Sequence, residues 1–264
     1  MQEDRKYNSR TELYGRENRP GTLSIAGFDP SGGAGILADI KTFEQLKVLG
    51  FAVNTGITIQ TENFFHSVSW RPIEEILNLV GILLNEYNIS VVKTGIFESL
   101  EYLDEVINLV KSWSNHIKIV VDPVIKSSTG FEFLKDHSID NWKKILQNID
   151  LLTPNIPEII SITGHENYET AAKEVSRCCN VFLKGGHSES KPGYDYLYTE
   201  KDCITFEPFR KGVSPKHGSG CVLSAAITAN MANGKDLIQS CREAKIYTEK
   251  FLKSNETLLG YHAE

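Results

Sequence analysis

Two glycine-rich segments of the sequence are suited to binding an anion. Residues 30–35 (PSGGAG) follow a short apolar run, and residues 217–221 (HGSGC) precede a run of small residues. Glycines ahead of a helix let backbone N–H groups point at a phosphate and give it room to approach. A single glycine loop is more often only a turn. Neither segment is a Walker A loop or a GxGxxG fingerprint, so a P-loop ATPase and a Rossmann dehydrogenase are poor candidates.

The second segment carries the more specific chemistry. It supplies consecutive backbone N–H groups from Gly218, Ser219, Gly220 and Cys221. At the positive end of a helix these groups would form an anion hole for a transferring phosphoryl group. Cys221 would be the first side chain of that helix, a position that lowers the pKa of a thiol. We expect it to be catalytic, as a general base. The alternative is a small residue packing the helix, the more common role of cysteine.

Further polar motifs recur along the chain, each directly after an apolar run. They are IQTEN, KTGIFES, VDPV, TPNIPE and LKGGH. In an open parallel α/β sheet, ligands bind beyond the carboxyl ends of the strands, where loops lead into helix N-termini. The sequence therefore predicts that these motifs and the two glycine loops converge on one edge of a sheet.

The elements that must position these motifs alternate between strands and helices. Apolar runs such as TLSIAGF, ISVV, IKIVV and NVFL predict parallel strands covered on both faces. Apolar residues at steps of three and four predict helices near 73–84, 100–113, 138–147, 168–178 and 237–252. YDYLYT and CITFEPF predict an antiparallel hairpin. We therefore expect a doubly wound, mostly parallel α/β sheet with helices on both faces and a short antiparallel hairpin at its edge.

The composition suits one α/β domain. The chain has 264 residues, 41% of them hydrophobic and 23% charged. We expect a single domain over residues 21–264. Residues 1–20 are polar, mixed in charge and without a periodic apolar face, so we expect them to form a disordered extension.

The composition also argues against several partners. The formal net charge of −6 gives no electrostatic reason to expect nucleic acid or an anionic membrane. No stretch approaches the roughly 18 apolar residues of a membrane span. The five cysteines include no CxxC pair, which argues against a disulfide framework and a zinc site and favours a reducing, cytoplasmic location.

The ordered motifs resemble a known family. The segment SIAGFDPSGGAGILADIKTFEQLKVLGFAV, followed by KTGI, VVDPV, LTPNIPE, FLKGGH and KHGSGCVLSAAI, resembles the hydroxymethylpyrimidine/phosphomethylpyrimidine kinases over residues 22–252. The resemblance implies a ribokinase-like fold, ATP and Mg²⁺ as cofactors, and a homodimer. It also implies phosphorylation of an aminopyrimidine alcohol and then of its monophosphate, in thiamine biosynthesis.

The resemblance implies roles for individual residues on the acceptor side. Gly27, Asp39 and Gln60 match positions that contact the aminopyrimidine, and Ile96 and Val124 match positions that line its pocket. Taken alone, Asp39 would be read as a solvated helix carboxylate and Gln60 as a polar residue that ends a strand. The carboxamide of Gln60 offers a donor and acceptors that suit the edge of an aminopyrimidine.

On the nucleotide side, the resemblance implies a second group of residues. Asn155 and Glu158 match an NxxE element that organises magnesium and phosphate, and Lys184 begins the KGG loop. We expect Asp122 near the phosphates or the metal, so that Asp122 and Glu158 act on magnesium indirectly. Gly218 to Gly220 match the anion hole. Cys221 stands where sugar kinases of this superfamily carry a catalytic aspartate.

Two positions depart from the family pattern. Ile96 stands where the family often has methionine, which preserves an apolar wall. Ser128 stands where the family usually has lysine, which leaves one phosphate contact open, and Lys126 is the nearest candidate to replace it.

Two other functions stay open. A pyridoxal kinase would share the fold, the anion hole and a flat heteroaromatic alcohol as acceptor, although Gln60 favours a pyrimidine. A catalytically silent nucleotide-binding module would keep the fold alone. The intact NxxE and GSGC motifs argue against the silent module.

Overall fold

The computed structural model describes residues 19–127, 130–134, 138–186, 191–210 and 212–262. Ser128 and residues 1–18 of the predicted extension lie outside these ranges. Arg19 and Pro20 lie within them and contact the fold. Arg19 Nη1 is 2.9 Å from a carboxylate oxygen of Glu44, and the Pro20 carbonyl accepts a hydrogen bond from the Leu49 amide at 2.9 Å.

Nine strands form one sheet in the part of the chain that the structure describes. They are β1 (Gly21–Phe28), β2 (Leu49–Gln60), β3 (Phe65–Trp70), β4 (Ile89–Thr94), β5 (Lys118–Val121), β6 (Leu151–Leu152), β7 (Asn180–Leu183), β8 (Asp195–Tyr198) and β9 (Cys203–Phe206). Their order is β3-β2-β1-β4-β5-β6-β7-β8-β9. The six central strands in this order, β2, β1, β4, β5, β6 and β7, pair in parallel. At the two edges, β3, β8 and β9 pair antiparallel. The predicted doubly wound sheet and edge hairpin are confirmed.

Eight helices are described, and they cover both faces of the sheet. They are α1 (Gly35–Gln45), α2 (Ile73–Glu86), α3 (Leu100–Trp113), α4 (Ile139–Leu146), α5 (Ile156–Thr163), α6 (Tyr168–Val175), α7 (Ser219–Ala232) and α8 (Leu237–Leu252). Helices α2 to α6 pack on one face, and α1, α7 and α8 pack on the other. Of the described helices, none has the length and apolar composition that crossing a bilayer requires.

The all-apolar strands bury alternate side chains in two separate cores, as their period of two requires. On β4, Val92 packs with α2 and α3, whereas Val91 packs with α7 and α8. Phe182 on β7 faces the α7 side, while Val181 and Leu183 face the other. By the same alternation Lys93, two residues after Val91, is directed to the α7 face. A lysine therefore lies inside a buried strand.

The structure also contains two elements that the apolar patterns did not predict. Strand β3 pairs antiparallel with β2, and much of it is exposed, so it lacks a strong apolar run. Helix α5 begins in the TPNIPE motif, where proline and asparagine had indicated only a loop. Trp113, the last apolar residue of the pattern that predicts the helix near 100–113, is 45% exposed. The five cysteines are all free, as expected.

Candidate active site

The predicted motifs converge on one cavity of about 1150 Å³. Each of six successive sheet elements contributes a residue at or after its carboxyl end: Gly27, Gln60, Ile96, Val124, Asn155 and Lys184. The glycine loops complete the lining with the starts of α1 and α7. Every predicted site residue except Asp39 lines this cavity. The prediction that the motifs meet at one edge of the sheet is confirmed by this arrangement.

Asp39 lies behind the cavity wall rather than in it. Its side chain is fully buried on α1, and one carboxylate oxygen accepts hydrogen bonds from Lys93 Nζ at 2.8 Å and the Ser24 hydroxyl at 2.6 Å. Lys93 itself lines the cavity. The solvated carboxylate that Asp39 would be on its own is therefore excluded. Lys93 lines the cavity and Asp39 does not, so Asp39 does not contact a substrate directly. Any effect of Asp39 on a substrate would have to be exerted through Lys93.

Lys93 keeps its positive charge despite complete burial. Burial by itself lowers the pKa of an ammonium group, but the negative charge of Asp39, with contributions from Cys221 and Asp122, raises the pKa of Lys93. The motif KTG contained this residue, but a lysine in a strand gives no local signal of its partner. Lys93 is a functional candidate that sequence reasoning missed.

The nucleotide side of the cavity is organised around Lys184. Its ammonium group lies 2.8 Å from Asp122 and 4.0 Å from Glu158. Burial opposes the charge of Lys184, but the two carboxylates outweigh it and raise the pKa. Burial likewise opposes the charge of Asp122, but Lys184 and Lys93 lower its pKa overall. The second oxygen of Asp122 accepts a hydrogen bond from the Ser224 hydroxyl at 3.0 Å.

The NxxE motif forms the N-terminus of α5. The Asn155 side chain accepts a hydrogen bond from the Glu158 amide, and the Glu158 carboxylate accepts one from the Asn155 amide, each at 2.8 Å. This reciprocal pair is a capping box. Burial raises the pKa of Glu158 to about 7, although Lys184 opposes that effect. The motif thus has a visible local role in fixing Glu158 beside Lys184.

Asp122 and Glu158 fit an indirect role toward magnesium. Asp122 is hydrogen-bonded to Lys184 and Ser224, and Glu158 caps α5, so both carboxylates already have protein partners. Within the described residues, no cluster of three or more His, Cys, Asp or Glu side chains could hold a metal ion. Mg²⁺ commonly retains waters and binds substrate phosphates with the help of one or two carboxylates. The pair suits that arrangement rather than a dedicated protein cage.

The two glycine loops meet at the start of α7. Gly218 has φ +73°, and a Cβ atom there would lie 2.0 Å from the carbonyl oxygen of Gly33, so only glycine allows this approach. Helix α7 begins at Ser219, two residues before Cys221, which the sequence predicts as the first side chain of the helix. A Cβ atom on Gly220 would lie 3.3 Å from Lys184 Nζ, which places the lysine against the loop. Backbone N–H groups of the first turn of α7 and the Lys184 ammonium group therefore share one corner of the cavity.

A hydrogen bond that was not predicted ties the two loops together. His217 Nε2 lies 2.9 Å from Asp29 Oδ2, and the same oxygen accepts a hydrogen bond from the Ala34 amide at 2.8 Å. Ser31 donates further hydrogen bonds to Asp29. Burial opposes the Asp29 charge, but the hydrogen bonds from His217 and Ser31 lower its pKa overall. Asp29 and His217 are within motifs that the sequence singled out, yet nothing local revealed their pairing.

The C-terminal segment supports the anion-hole loop from the other side. The His217 amide donates to the Leu258 carbonyl at 2.9 Å, and Lys216 Nζ donates to the Asn255 carbonyl at 2.7 Å. His262 lies 3.0 Å from the Tyr247 hydroxyl, and burial lowers the pKa of His262 to about 4. Residues 253–262 therefore pack beside the loop, and His262 is uncharged at neutral pH.

Cys221 lies in the first turn of α7, is half-buried and lines the cavity. Burial raises the pKa of the Cys221 thiol to about 11, although Lys93 and the Gly35 amide both act to lower it. The expectation that the helix N-terminus lowers this pKa is therefore wrong, because desolvation is the larger effect. At neutral pH the sulfur is a protonated thiol.

Apolar side chains line the part of the cavity that the resemblance assigns to the acceptor. A Cβ atom on Gly27 would lie 2.4 Å from Ile96 Cδ1, so the glycine makes room for the isoleucine. Half-buried Gln60 and Val124 also line this side, consistent with the pocket that the resemblance implied. Lys126 lines the rim, is exposed and lies 3.7 Å from Glu132. Its role as a replacement for the lysine missing at Ser128 stays a prediction.

A doubly wound sheet with an anion hole and a paired lysine at its carboxyl edge defines the class of ribokinase-like small-molecule kinases. The profile of the family Phosphomethylpyrimidine kinase matches residues 29–263, and the chain belongs to that family. It is accordingly an ATP-dependent phosphotransferase of thiamine biosynthesis, as the resemblance implied.

Relatives and solved structures agree with this membership. A hydroxymethylpyrimidine/phosphomethylpyrimidine kinase of Aquifex aeolicus is 34% identical over 247 residues, which cover 89% of this chain and 95% of the relative. The crystal structure of a phosphomethylpyrimidine kinase from Clostridium difficile matches with a TM-score of 0.75 and 31% identity, over 88% of this chain and 99% of that one. A Staphylococcus aureus pyridoxal kinase in complex with AMP-PCP and pyridoxal matches with a TM-score of 0.76 and 27% identity, over 89% and 88%.

Proposed function

We propose that this kinase transfers the γ-phosphoryl group of MgATP to the hydroxymethyl oxygen of 4-amino-5-hydroxymethyl-2-methylpyrimidine, and then phosphorylates the resulting monophosphate. The observation that carries the proposal is the joint lining of one cavity. The half-buried Gln60 and the apolar Ile96 lie at one side, and the Lys184 cluster and the start of α7 lie at the other. A flat polar heterocycle and a polyphosphate would thus meet within one site.

In the proposed reaction, the acceptor oxygen bonds to the γ-phosphorus while the bond from that phosphorus to the leaving ADP oxygen breaks. Phosphoryl transfer depends chiefly on positioning and on charge neutralisation. The backbone amides of Ser219, Gly220 and Cys221 would stabilise negative charge on the transferred group, and Lys184 would neutralise the phosphates beside them. Asp122 and Glu158 would hold magnesium through water, and the metal when bound supplies further charge neutralisation.

Two routes exist for the proton of the acceptor hydroxyl. Cys221 Sγ accepts it if the sulfur is a thiolate when both substrates are bound. Otherwise the proton passes to a phosphate oxygen or to water, and Cys221 only packs the start of α7. Because burial raises the thiol pKa to about 11, a thiolate is scarce at neutral pH. We favour the second route, in which the backbone amides carry most of the stabilisation.

A substrate panel tests the proposed acceptor. Purified protein with MgATP is offered hydroxymethylpyrimidine, its monophosphate, pyridoxal and ribose, and release of ADP is followed. We expect the two pyrimidines to have the highest kcat/KM. A higher value for pyridoxal would support the alternative, which the likeness to a pyridoxal kinase keeps in view. A complete lack of phosphoryl transfer to every acceptor would instead indicate the silent nucleotide-binding module.

We further propose that the kinase works as a homodimer in the cytoplasm and that residues 21–264 form one domain. These proposals rest on the family resemblance and on the free cysteines, which suit a reducing compartment. Light scattering after size-exclusion chromatography measures the oligomeric state. A single monomeric peak at micromolar concentration would contradict the dimer.

A further inference from the structure

Helix α8 supplies a buried acidic group to the cavity that no predicted motif contains. Glu249 lines the cavity, and its side chain is only 8% exposed. One carboxylate oxygen lies 3.1 Å from Lys245 Nζ on the same helix. The other oxygen, Oε2, is buried and has no hydrogen-bond partner among the described residues. Buried carboxylate oxygens normally accept hydrogen bonds, so this one lacks a donor that a ligand can bring.

A network of hydrogen bonds fixes Glu249 in place. Lys245 Nζ donates to Asp195 Oδ2 at 2.8 Å and to the Gly193 carbonyl at 2.6 Å. Asp195 in turn accepts a hydrogen bond from the Gly185 amide of the KGG loop at 2.8 Å. A single ammonium group, that of Lys245, thus lies between two carboxylates, those of Asp195 and Glu249. Arg210 also lines the cavity, but its side chain is at the exposed rim.

The position of this network separates it from the acceptor side. Asp195 lies on β8 and Gly185 follows β7, whereas Gln60 ends β2. In the observed strand order β2 and β7 are five strand spacings apart, or roughly 24 Å at about 4.8 Å each. The Lys184 ammonium group contacts Asp122 directly after β5 and lies beside Gly220, so it is between the two. Glu249 is therefore at the end of the cavity beyond the phosphates, where the nucleoside of a phosphoryl donor would lie.

The chemistry of the unpartnered oxygen restricts what binds there. A carboxylate accepts hydrogen bonds and repels phosphate oxygens, so a phosphate does not suit this end. A nucleoside offers neutral donors, namely the exocyclic amine of adenine and the ribose hydroxyls. Guanine presents a carbonyl oxygen where adenine has its exocyclic amine, so a base bound in the same orientation loses the hydrogen bond that the carboxylate accepts from adenine.

We infer that Glu249 is a specificity-determining residue for the phosphoryl donor and that its free oxygen accepts a hydrogen bond from the nucleoside of ATP. The inference rests on the proposed use of MgATP and adds the group that reads the nucleoside. Lys245 and Asp195 are positioning residues for it. The adenine amine is the hydrogen-bond donor by which the carboxylate distinguishes adenine from guanine. A ribose hydroxyl is the second neutral donor that the nucleoside offers.

Equilibrium binding provides the test, because it requires no turnover. Dissociation constants for ADP, GDP, 2′-deoxyADP and 3′-deoxyADP are measured by calorimetry on the wild type and on Glu249→Gln. Wild type should prefer ADP to GDP, and Glu249→Gln should reduce that preference by about tenfold or more, because a carboxamide can also donate to a guanine carbonyl. Glu243→Gln, on the same helix but outside the cavity, is the matched control and should leave every ratio unchanged.

The deoxy nucleotides identify the donor. If the substitution changes the ADP to deoxyADP ratio but not the ADP to GDP ratio, the ribose hydroxyl is the partner: Glu249 then binds the nucleoside, and its role in selecting adenine over guanine is refuted. If Glu249→Gln alters none of these ratios while its Tm matches that of wild type, the inference is overturned. Failure of pyrimidine phosphorylation alone would contradict the proposed function and leave these binding ratios interpretable. Glu249→Leu is the second variant and should weaken ADP binding itself by about tenfold.

Discussion

The Lys93 ammonium group lies 2.8 Å from the Asp39 carboxylate, and both side chains are buried. Only the lysine of this pair reaches the cavity. The second oxygen of Asp39 has no hydrogen-bond partner among the described groups, so Lys93 and Ser24 together hold the carboxylate by one oxygen. Asp39 therefore anchors a positive charge whose electrostatic range includes the thiol of Cys221.

The first prediction is that Lys93 and Asp39 have opposite effects on the Cys221 thiol. Lys93→Met should raise its pKa, because Lys93 lowers it, and Asp39→Asn should lower it, because Asp39 raises it. Alkylation of Cys221 by iodoacetamide is followed by peptide mass spectrometry between roughly pH 7 and pH 10. Its rate should fall about tenfold in Lys93→Met and rise about tenfold in Asp39→Asn.

The double variant Lys93→Met/Asp39→Asn is the control for folding. Lys93→Met alone leaves a buried carboxylate unpaired, at a cost of about 3–5 kcal/mol, and the double variant removes both charges. Its alkylation rate should lie between those of the single variants. Shifts of the same sign in both single variants would indicate general loosening of the site rather than electrostatic control.

The second prediction separates the sulfur of Cys221 from the amides around it. Because the thiol is protonated at neutral pH, Cys221→Ala and Cys221→Ser should each keep kcat within about tenfold of wild type. Gly220→Pro removes a backbone donor from the anion hole and should lower kcat by about 100-fold or more. Steady-state kinetics with MgATP and the pyrimidine measure both. A loss of about 100-fold to 10,000-fold in the alanine variant would establish a thiolate base and refute the route we favour.

Sequence patterns identified the parts of the site that depend on local chemistry. Parallel strands are nearly all apolar, and their ends carry the glycine, proline and polar residues that loops need, so Gln60, Asn155 and Lys184 were placed correctly at the cavity. Strand β3 was not predicted, because a strand at an exposed edge of the sheet needs no apolar run. Helix α5 was not predicted although its start signal is present, since Asn155 is the N-cap and Glu158 follows three residues later.

The pairings that set the electrostatics of the site could not be predicted from the sequence. Lys93 and Asp39 are 54 positions apart, and Asp29 and His217 are 188 apart. A charged residue gives no local sign of whether solvent or a distant partner will neutralise it. The Cys221 pKa was mispredicted for the same reason, since the helix N-terminus is visible in the sequence and burial is not.

The third prediction concerns the pH dependence of stability at Glu158. Its folded pKa is raised from 4.5 to about 7 by burial. The folded protein therefore holds this proton more tightly than the unfolded chain does. The stabilisation is fully present below the unfolded pKa and is lost as the pH rises through about 7. Glu158→Gln does not titrate, and glutamine preserves the capping box.

Urea denaturation measures the pH dependence of stability that Glu158 causes. Roughly pH 4.5 to pH 7.5 is the range to cover, because the pKa of Glu158 rises from 4.5 to about 7 on folding. Across it, the free energy of unfolding of wild type should fall relative to that of Glu158→Gln, by on the order of 3 kcal/mol. Glu169→Gln, in the first turn of α6 and exposed, is the control and should show no such trend. A difference between wild type and Glu158→Gln that stays constant with pH would show that Lys184 keeps Glu158 ionised throughout.

The last prediction concerns the contact between Gly27 and Ile96 on the acceptor side. A Cβ atom on Gly27 would lie 2.4 Å from Ile96 Cδ1 and 2.7 Å from its Cγ1, so Gly27→Ala must push the isoleucine side chain aside. No positive φ is involved, so the backbone itself accepts alanine. Displaced into the cavity, Ile96 would narrow the space for a flat acceptor. Gly27→Ala should raise KM for the pyrimidine by about tenfold and leave KM for ATP unchanged.

A double-mutant cycle tests whether this contact is the cause. Ile96→Ala removes both atoms that the new methyl group would meet, so Gly27→Ala/Ile96→Ala should recover acceptor binding relative to the sum of the single effects. A coupling free energy of about 1–2 kcal/mol is expected. Val124→Ala is the matched control, because Val124 lines the cavity but is not among the atoms nearest to a Gly27 Cβ. Its effect should add to that of Gly27→Ala. Strict additivity with Ile96→Ala, or an equal rise in KM for ATP, would show that Gly27 acts on the fold rather than on the acceptor pocket.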